Sequence, residues 1–316
     1  MRRPAAALVL LALAGSACSS DDPQPAAEPS THVTSDGPVP VVPPRDDDDP
    51  PATETVPALV RATGPRQVAR QIRAAEDALA DPVTSGRELT AMARLQQLAY
   101  RVLGARPTWD RRVYRLLPPR LHRVVRANVA ARREFRSMHS TLSHTLPAWR
   151  IVRPEPAEDL LRFYRDAEAA YGVGWEYLAA INLVETAMGR IRGTSVAGAQ
   201  GPMQFLPTTW ARWGRGDIDD PADSIMAAAR YLASNGFTRG PRGVARALFE
   251  YNNHPAYVRG VTDYARVMQA SPRAFYGYHQ WGVYYLTTAG DVVLPVGYER
   301  TRPVPVRRYL AAHPQR

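Results

Sequence analysis

The chain of 316 residues contains one cysteine, Cys18, and no lysine, and none of its apolar runs approaches the roughly 20 residues that a membrane-spanning helix needs. A single cysteine excludes an intrachain disulfide framework and a cysteine-ligated zinc or iron–sulfur centre. The short apolar runs exclude a helical channel or transporter. Any chemistry must therefore use carboxylates, hydroxyls or histidine. What is present is arginine: all 40 cationic side chains are Arg, against 30 acidic ones, for a net charge of +10. Apolar residues make up 45% of the chain, enough to fill the core of one or two globular domains.

Arg2 and Arg3 precede an apolar stretch from Ala5 to Ala14, then Gly15, Ser16, Ala17 and Cys18. This is the pattern of a secretory signal peptide over residues 1–17. Cys18 sits where a bacterial lipoprotein carries its lipid, and the surrounding residues resemble a lipobox, with Gly15 in the place that usually holds Leu. We read Cys18 as a lipidation site in preference to plain cleavage after Ala14 or Ala17. Both readings put the mature protein outside the cytoplasm, in the cell envelope or secreted. Residues 18–58 are rich in Pro, Asp, Ser and Thr and include Asp46 to Asp49. Such a composition buries too little surface to offset its ordering entropy, so a disordered tether is expected.

Over residues 59–146 the pattern is helical. Val68, Ile72, Ala75 and Leu79 recur at helical spacing, Ser85 to Glu88 has the form of a capping box, and Gly104 reads as a stop. A bundle of about four helices is expected. It holds 17 Arg against 6 acidic residues. That surplus suits anionic wall polymers or lipid headgroups, although evenly spaced Arg fits a solvated helix face better. Nucleic acid is not an expected partner of an exported protein, and the chain is expected to be a monomer.

Residues 147–271 read as a second, all-helical domain. Pro156 with Glu158 and Asp159 opens one helix and Gly172 closes it; a second runs from Trp175 to about Met188, closed by Gly189. Further helices are expected from Thr208, after Asp220-Pro221 to Gly236, and over about 241–252 and 255–269. Residues 272–316 are rich in aromatics, and Val283 to Thr288, Ala289-Gly290-Asp291 and the following Val-Val-Leu suggest a β-hairpin. Its aromatics are expected mainly to pack it onto the helices, with sugar stacking as the alternative.

Trp175, Leu178, Ile181 and Glu185 share one helix face, so a lone carboxylate lies on an apolar stripe. Burial without a counter-charge raises a carboxyl pKa and makes a general acid. Periodicity alone equally allows a solvated Glu at the helix end or one that caps a buried backbone group. Gly198-Ala-Gln-Gly-Pro-Met-Gln-Phe-Leu-Pro-Thr-Thr-Trp210 follows, with two glycines suited to close backbone approach to a ligand and an amide, Gln204, before a helix start.

Glu185, this segment and the later Tyr251-Asn252 together resemble the lytic transglycosylases of the lysozyme-like superfamily, the soluble lytic transglycosylase type related to goose-type lysozyme. The resemblance covers about 157–269. Thr186 stands where many relatives have Ser, Pro202 where they have Leu, and Asn253-His254-Pro255 replaces a small glycine-containing segment. The resemblance implies a mainly α fold, with a lysozyme-like catalytic domain between the N-terminal bundle and the C-terminal hairpin. It also implies cleavage of the MurNAc-GlcNAc bond in peptidoglycan strands to a 1,6-anhydro end. Glu185 would be the catalytic acid and then base, and Thr186, Gly198, Met203, Gln204, Tyr251 and Asn252 would form the substrate-binding set. No cofactor or metal is implied; Asp217, Asp219, Asp220 and Asp223 lack an EF-hand pattern and read as helix-capping charge. A muramidase using water with the same acid, and a non-catalytic wall-binding or scaffold protein, are the alternatives.

Overall fold

The computed structural model describes residues 59–315; the leader, Cys18 and the expected tether lie outside the described residues. The Arg-rich segment forms the four expected helices, α1 (Pro65–Ala80), α2 (Gly86–Gly104), α3 (Asp110–Leu116) and α4 (His122–Ser137). Val68, Ile72, Ala75 and Leu79 are all buried on the inner face of α1. Two local expectations fail. Ser85 precedes α2 in extended conformation, but its side chain makes no capping bond, because Gly86 behind it takes a left-handed turn at φ +54°. Gly104 is the last residue of α2 and not a left-handed stop. A Cβ there would lie 3.0 Å from Cγ of Arg132, so this glycine serves the close approach of α4.

The following helices are α5 (Ala157–Tyr171), α6 (Trp175–Thr186), α7 (Pro207–Trp213), α8 (Pro221–Ser234), α9 (Gly240–Tyr251) and α10 (Pro255–Ala270). Asp220 caps α8 by accepting from the Asp223 amide. The mostly apolar α6 is the central helix, as expected of one that is hydrophobic on most faces. α10 lies between α6 and α4: Phe135 of α4 stacks on Tyr264 and meets Tyr257 edge-on. This crossing requires Gly260, since a Cβ there would sit 2.5 Å from the Phe135 ring.

The C-terminal segment holds the expected hairpin, β4 (Val283–Thr287) with β5 (Gly290–Leu294), in the register Val283 opposite Leu294. It also holds two helices absent from the sequence reading, α11 (Ala274–His279) and α12 (Val306–Ala312). Two short antiparallel pairs tie the segments together, β1 (Thr145–Leu146) with β6 (Val304–Pro305) and β2 (Arg150–Ile151) with β3 (Ile191–Arg192). Most C-terminal aromatics pack inward, as expected: Phe275, Tyr278, Trp281 and Tyr285 are buried. They reach the N-terminal bundle through paired polar atoms. Tyr278 donates to Asn128 Oδ1 at 2.8 Å, and Trp281 Nε1 donates to Gln96 Oε1 at 2.9 Å. Gln96 and Tyr100 in turn donate to the buried carboxyl of Glu76. Burial raises the Glu76 pKa, while the two hydrogen bonds oppose that rise.

Gly260 makes the α4–α10 crossing testable. Helix propensity favours Ala over Gly by about 1 kcal/mol, but the overlap with Phe135 should cost about 1–3 kcal/mol. Gly260→Ala is expected to destabilise the protein in urea denaturation; a more stable variant would mean that α4 and α10 do not cross this closely.

Candidate active site

Glu185 sits one residue before the end of α6, 3% exposed, in the lining of a cleft. The helix ends two residues earlier than its sequence suggests. Ala187 and Met188 are left-handed, at φ 52° and 63°, before Gly189 at 79°. Left-handed backbone costs an L-residue about 1–2 kcal/mol, so the turn must be held from outside.

The hold comes from a compact set of hydrogen bonds. The Ala187 and Met188 amides donate to the carbonyls of Leu183 and Asn182, and the Gly189 amide to Thr186 Oγ1 at 3.0 Å. The Thr186 hydroxyl and the Asn182 amide both donate to the Pro202 carbonyl, at 2.6 and 2.9 Å. Tyr164 fixes Asn182 by donating to its Oδ1 at 2.6 Å. The buried Arg190 donates to the Ala187 carbonyl at 3.1 Å. The end of α6 is thereby fastened to the loop that follows it. Since the fastening uses a backbone carbonyl, Pro at position 202 serves as well as Leu.

One of the two glycines of that loop does different work from that expected of it. Gly201 is needed inside the protein, where a Cβ would lie 2.0 Å from the Ile218 carbonyl oxygen. Gly198, at φ 83°, has open space where a Cβ would stand, so its backbone angle and not close packing calls for glycine. Gln204 is buried and left-handed at φ 52°, and its side-chain amide donates to the Gly201 carbonyl at 3.1 Å. Met203 is fully buried and its carbonyl accepts from the Tyr251 hydroxyl at 2.6 Å.

Tyr251 therefore reaches the loop and not the carboxyl. The hydroxyl that donates to Glu185 Oε1, at 2.7 Å, belongs to Tyr257 near the start of α10. The Tyr251 and Tyr257 rings are stacked with an interplanar angle of 6°. Tyr257 is absent from the sequence-derived set. Its only signal is membership of the stripe Tyr257, Val261, Tyr264 and Met268, which reads as core.

The cleft encloses about 160 Å³. Of the residues singled out from sequence, Glu185 and Asn252 line it; Thr186, Met203, Gln204 and Tyr251 form the layer behind, and Gly198 lies on the loop. The other walls come from outside the helical core around α6. Arg101 of α2, Arg132 of α4, His139 beyond α4, and Tyr284 of β4 line the same cleft as Glu185 and Tyr257. Glu185 is the one carboxyl among the described residues lining it.

Burial pushes the Glu185 pKa up to about 8, with the Tyr257 hydrogen bond opposing the rise. At neutral pH this carboxyl is mostly protonated and can give a proton away. The same shift destabilises the fold as pH rises. Between about 4.5 and 8 the unfolded chain releases a proton that the folded chain keeps, so stability falls across that window. Glu185→Gln removes the titration while keeping an acceptor for Tyr257. The variant should match the wild type at pH 4 and exceed it at pH 8 by a few kcal/mol, at about 1.4 kcal/mol per pKa unit. Thermal melts at the two pH values check this; an equal difference at both would mean that Glu185 titrates normally.

The geometry agrees with what the comparisons with known proteins find. The family model of the Transglycosylase SLT domain matches residues 162–270. Membrane-bound lytic murein transglycosylase F of Thiobacillus denitrificans is 36% identical over 81 residues, 26% of this chain. The match spans 17% of that relative's length. No solved structure matches the chain. The segment that carries α6, the loop behind Glu185, Tyr251 and Tyr257 is thus a transglycosylase SLT domain of the lysozyme-like superfamily.

Proposed function

We propose that the protein is a peptidoglycan lytic transglycosylase that cuts the β-1,4 bond between MurNAc and GlcNAc and leaves a 1,6-anhydro-MurNAc end. The observation that carries this reading is Glu185 itself. It is an enclosed carboxyl, kept protonated near neutral pH by burial, within the segment that matches the family. A relative that is 36% identical over 81 residues of this chain is a membrane-bound lytic murein transglycosylase.

Glu185 gives its proton to the glycosidic oxygen as the bond from MurNAc C1 to that oxygen breaks, and the GlcNAc end leaves as an alcohol. Positive charge develops at C1. Ordinary retaining and inverting routes would place a second carboxylate beside it. With Glu185 the one carboxyl among the described lining residues, the 2-acetamido oxygen of the substrate supports C1 instead. The Glu185 carboxylate then takes the proton of the C6 hydroxyl as O6 bonds to C1. The acid is restored, and no water is consumed. The same count of carboxyls disfavours a water-using muramidase, and the enclosed, protonated acid disfavours a purely scaffolding role.

Tyr257 orients the carboxyl and shares its charge once the proton has left. Thr186, Met203, Gln204 and Tyr251 hold the layer behind it, leaving Asn252 and Gly198 to meet sugar substituents. Export through residues 1–17 with a lipid on Cys18 would hold the enzyme in the envelope beside its substrate. No helix among the described residues is long and apolar enough to cross a membrane.

Two outcomes are expected. Purified sacculi treated with the full chain should release anhydro-muropeptides by mass spectrometry, and Glu185→Gln should lower the yield at least about a hundredfold. Reducing ends in their place would establish a muramidase, and intact sacculi from folded protein would remove the enzyme reading. In addition, kcat/KM should decline as pH rises through about 8. Because the Tyr257 hydrogen bond lowers the Glu185 pKa, Tyr257→Phe should move that decline to higher pH. A decline unmoved by this change would argue against the Tyr257 contact.

A further inference from the structure

The wall of the cleft formed by the N-terminal bundle and the hairpin carries a charge arrangement that the cleavage chemistry does not use. Arg101 binds Asp291 of β5 with two nitrogens, Nε to Oδ2 at 2.9 Å and Nη2 to Oδ1 at 2.6 Å. Its guanidinium lies over the Tyr284 ring, 4.2 Å from the centroid. Arg132 approaches the same Asp291 through one nitrogen only, at 3.3 Å. The side chains of Arg101, Arg132 and Asp291 are 10%, 14% and 8% exposed. Among the described residues one enclosed carboxylate thus faces two enclosed guanidinium groups, which leaves a positive charge uncompensated there.

Arg132 bears most of that deficit. A guanidinium has five N–H donors, and among the described residues that of Arg132 makes this single long bond. Removing a cation from water costs several kcal/mol unless partners replace the lost hydration. Burial and the neighbouring Arg101 lower the Arg132 pKa to about 10, so it remains charged at neutral pH. Beside it, His139 has a buried Nδ1 without a hydrogen-bond partner among the described residues. Burial, together with Arg132, Arg136 and Arg101, lowers the His139 pKa to about 4, so the ring is neutral. Arg101, Arg132 and His139 all line the cleft that holds Glu185. Among the described residues no arginine shifts the Glu185 carboxyl, which burial raises and Tyr257 lowers. The basic wall therefore leaves the acid protonated.

We propose that Arg132, with Arg101 and His139, forms a carboxylate-binding subsite across the cleft from Glu185, which takes an anionic group of the glycan substrate. The inference rests on the peptidoglycan reading above. The sugar rings of that polymer are neutral, and its carboxylates lie on the lactyl ether of MurNAc or on the stem peptide attached there. A planar guanidinium with free donors matches a carboxylate in a two-point contact. The lactyl and stem sources share this chemistry, and substrate form separates them. The subsite uses residues of α2, α4 and the segment beyond it, all outside the family-matched 162–270. This gives the Arg-rich bundle a part in choosing the substrate.

The test is calorimetric binding to the full-length Glu185→Gln protein, with and without Arg132→Gln. Four muroglycan tetrasaccharides are compared: stem-free with lactyl carboxylates, stem-bearing, and each with its carboxyls converted to amides. At least one free-carboxylate form should bind about tenfold more tightly than its amide, and Arg132→Gln should erase that preference while leaving amide binding unchanged. Preference confined to the stem-free pair assigns the lactyl group, and preference confined to the stem-bearing pair assigns the stem. Equal binding of acid and amide by the parent protein, or equal weakening of both by Arg132→Gln, overturns the subsite and leaves the catalytic reading standing. Failure of every glycan to bind overturns both. Should Arg132→Gln not fold by circular dichroism, His139→Leu, which leaves the Asp291 contacts in place, decides. A preference reduced about threefold supports the subsite, and one fully retained rejects it.

Discussion

Everything at this site depends on holding one carboxyl away from water without giving it a cation. Glu185 is nearly fully enclosed, and among the described residues its one hydrogen-bond donor is the neutral hydroxyl of Tyr257. A salt bridge would have made it a permanent anion. Burial with a neutral donor leaves it an acid with a pKa of about 8. The arrangement opposes folding stability at neutral pH, and the surrounding structure supplies the compensation. Tyr164, Asn182, Thr186 and the Pro202 carbonyl lock the left-handed end of α6, and Arg190 holds the Ala187 carbonyl. Backbone strain gathered in this way beside the proposed acid is a usual feature of active sites.

The second dependence is on elements far away in sequence. The SLT segment provides the acid and the layer behind it, but α2, α4 and β4 provide much of the cleft. Gly260 brings α4 against α10, and Trp281 and Tyr278 anchor the C-terminal segment to the bundle through Gln96 and Asn128. Gln97 also exchanges two hydrogen bonds with the Gly282 backbone, both at 2.9 Å, just before β4. The flanking segments are therefore walls of the cleft as well as packing partners of the core. With Asp291 neutralising only part of the charge on Arg101 and Arg132, the wall facing the acid is basic while the acid itself stays neutral.

Much of this was legible from the residues, and what was not has physical causes. Helices with apolar faces of period 3.6 and proline or glycine at their ends, such as α5 and α10, declare themselves locally. Glu185 stood out because a carboxylate on an otherwise apolar stripe is costly and two spaced motifs accompanied it. Tyr257 was hidden because a buried tyrosine at core spacing looks the same whether or not its hydroxyl has a task. The end of α6 is not legible in the sequence because Ala187 and Met188 adopt left-handed backbone under tertiary hydrogen bonds that neither residue announces. α11 escaped because half of its six residues are aromatic and are fixed by packing against α2 and α6, not by helical periodicity. The basic wall joins residues 101, 132, 139 and 284, and no local pattern can bring such distant positions together.

The direct test of the account is the ionisation of Glu185 itself. Carboxyl 13C NMR of glutamate-labelled protein, with the Glu185 resonance assigned by its absence in Glu185→Gln, follows the group from pH 4 to 9. The account predicts a midpoint near 8. A midpoint near 4.5, the ordinary value for glutamate, would contradict it, because a carboxylate already ionised at neutral pH has no proton to donate.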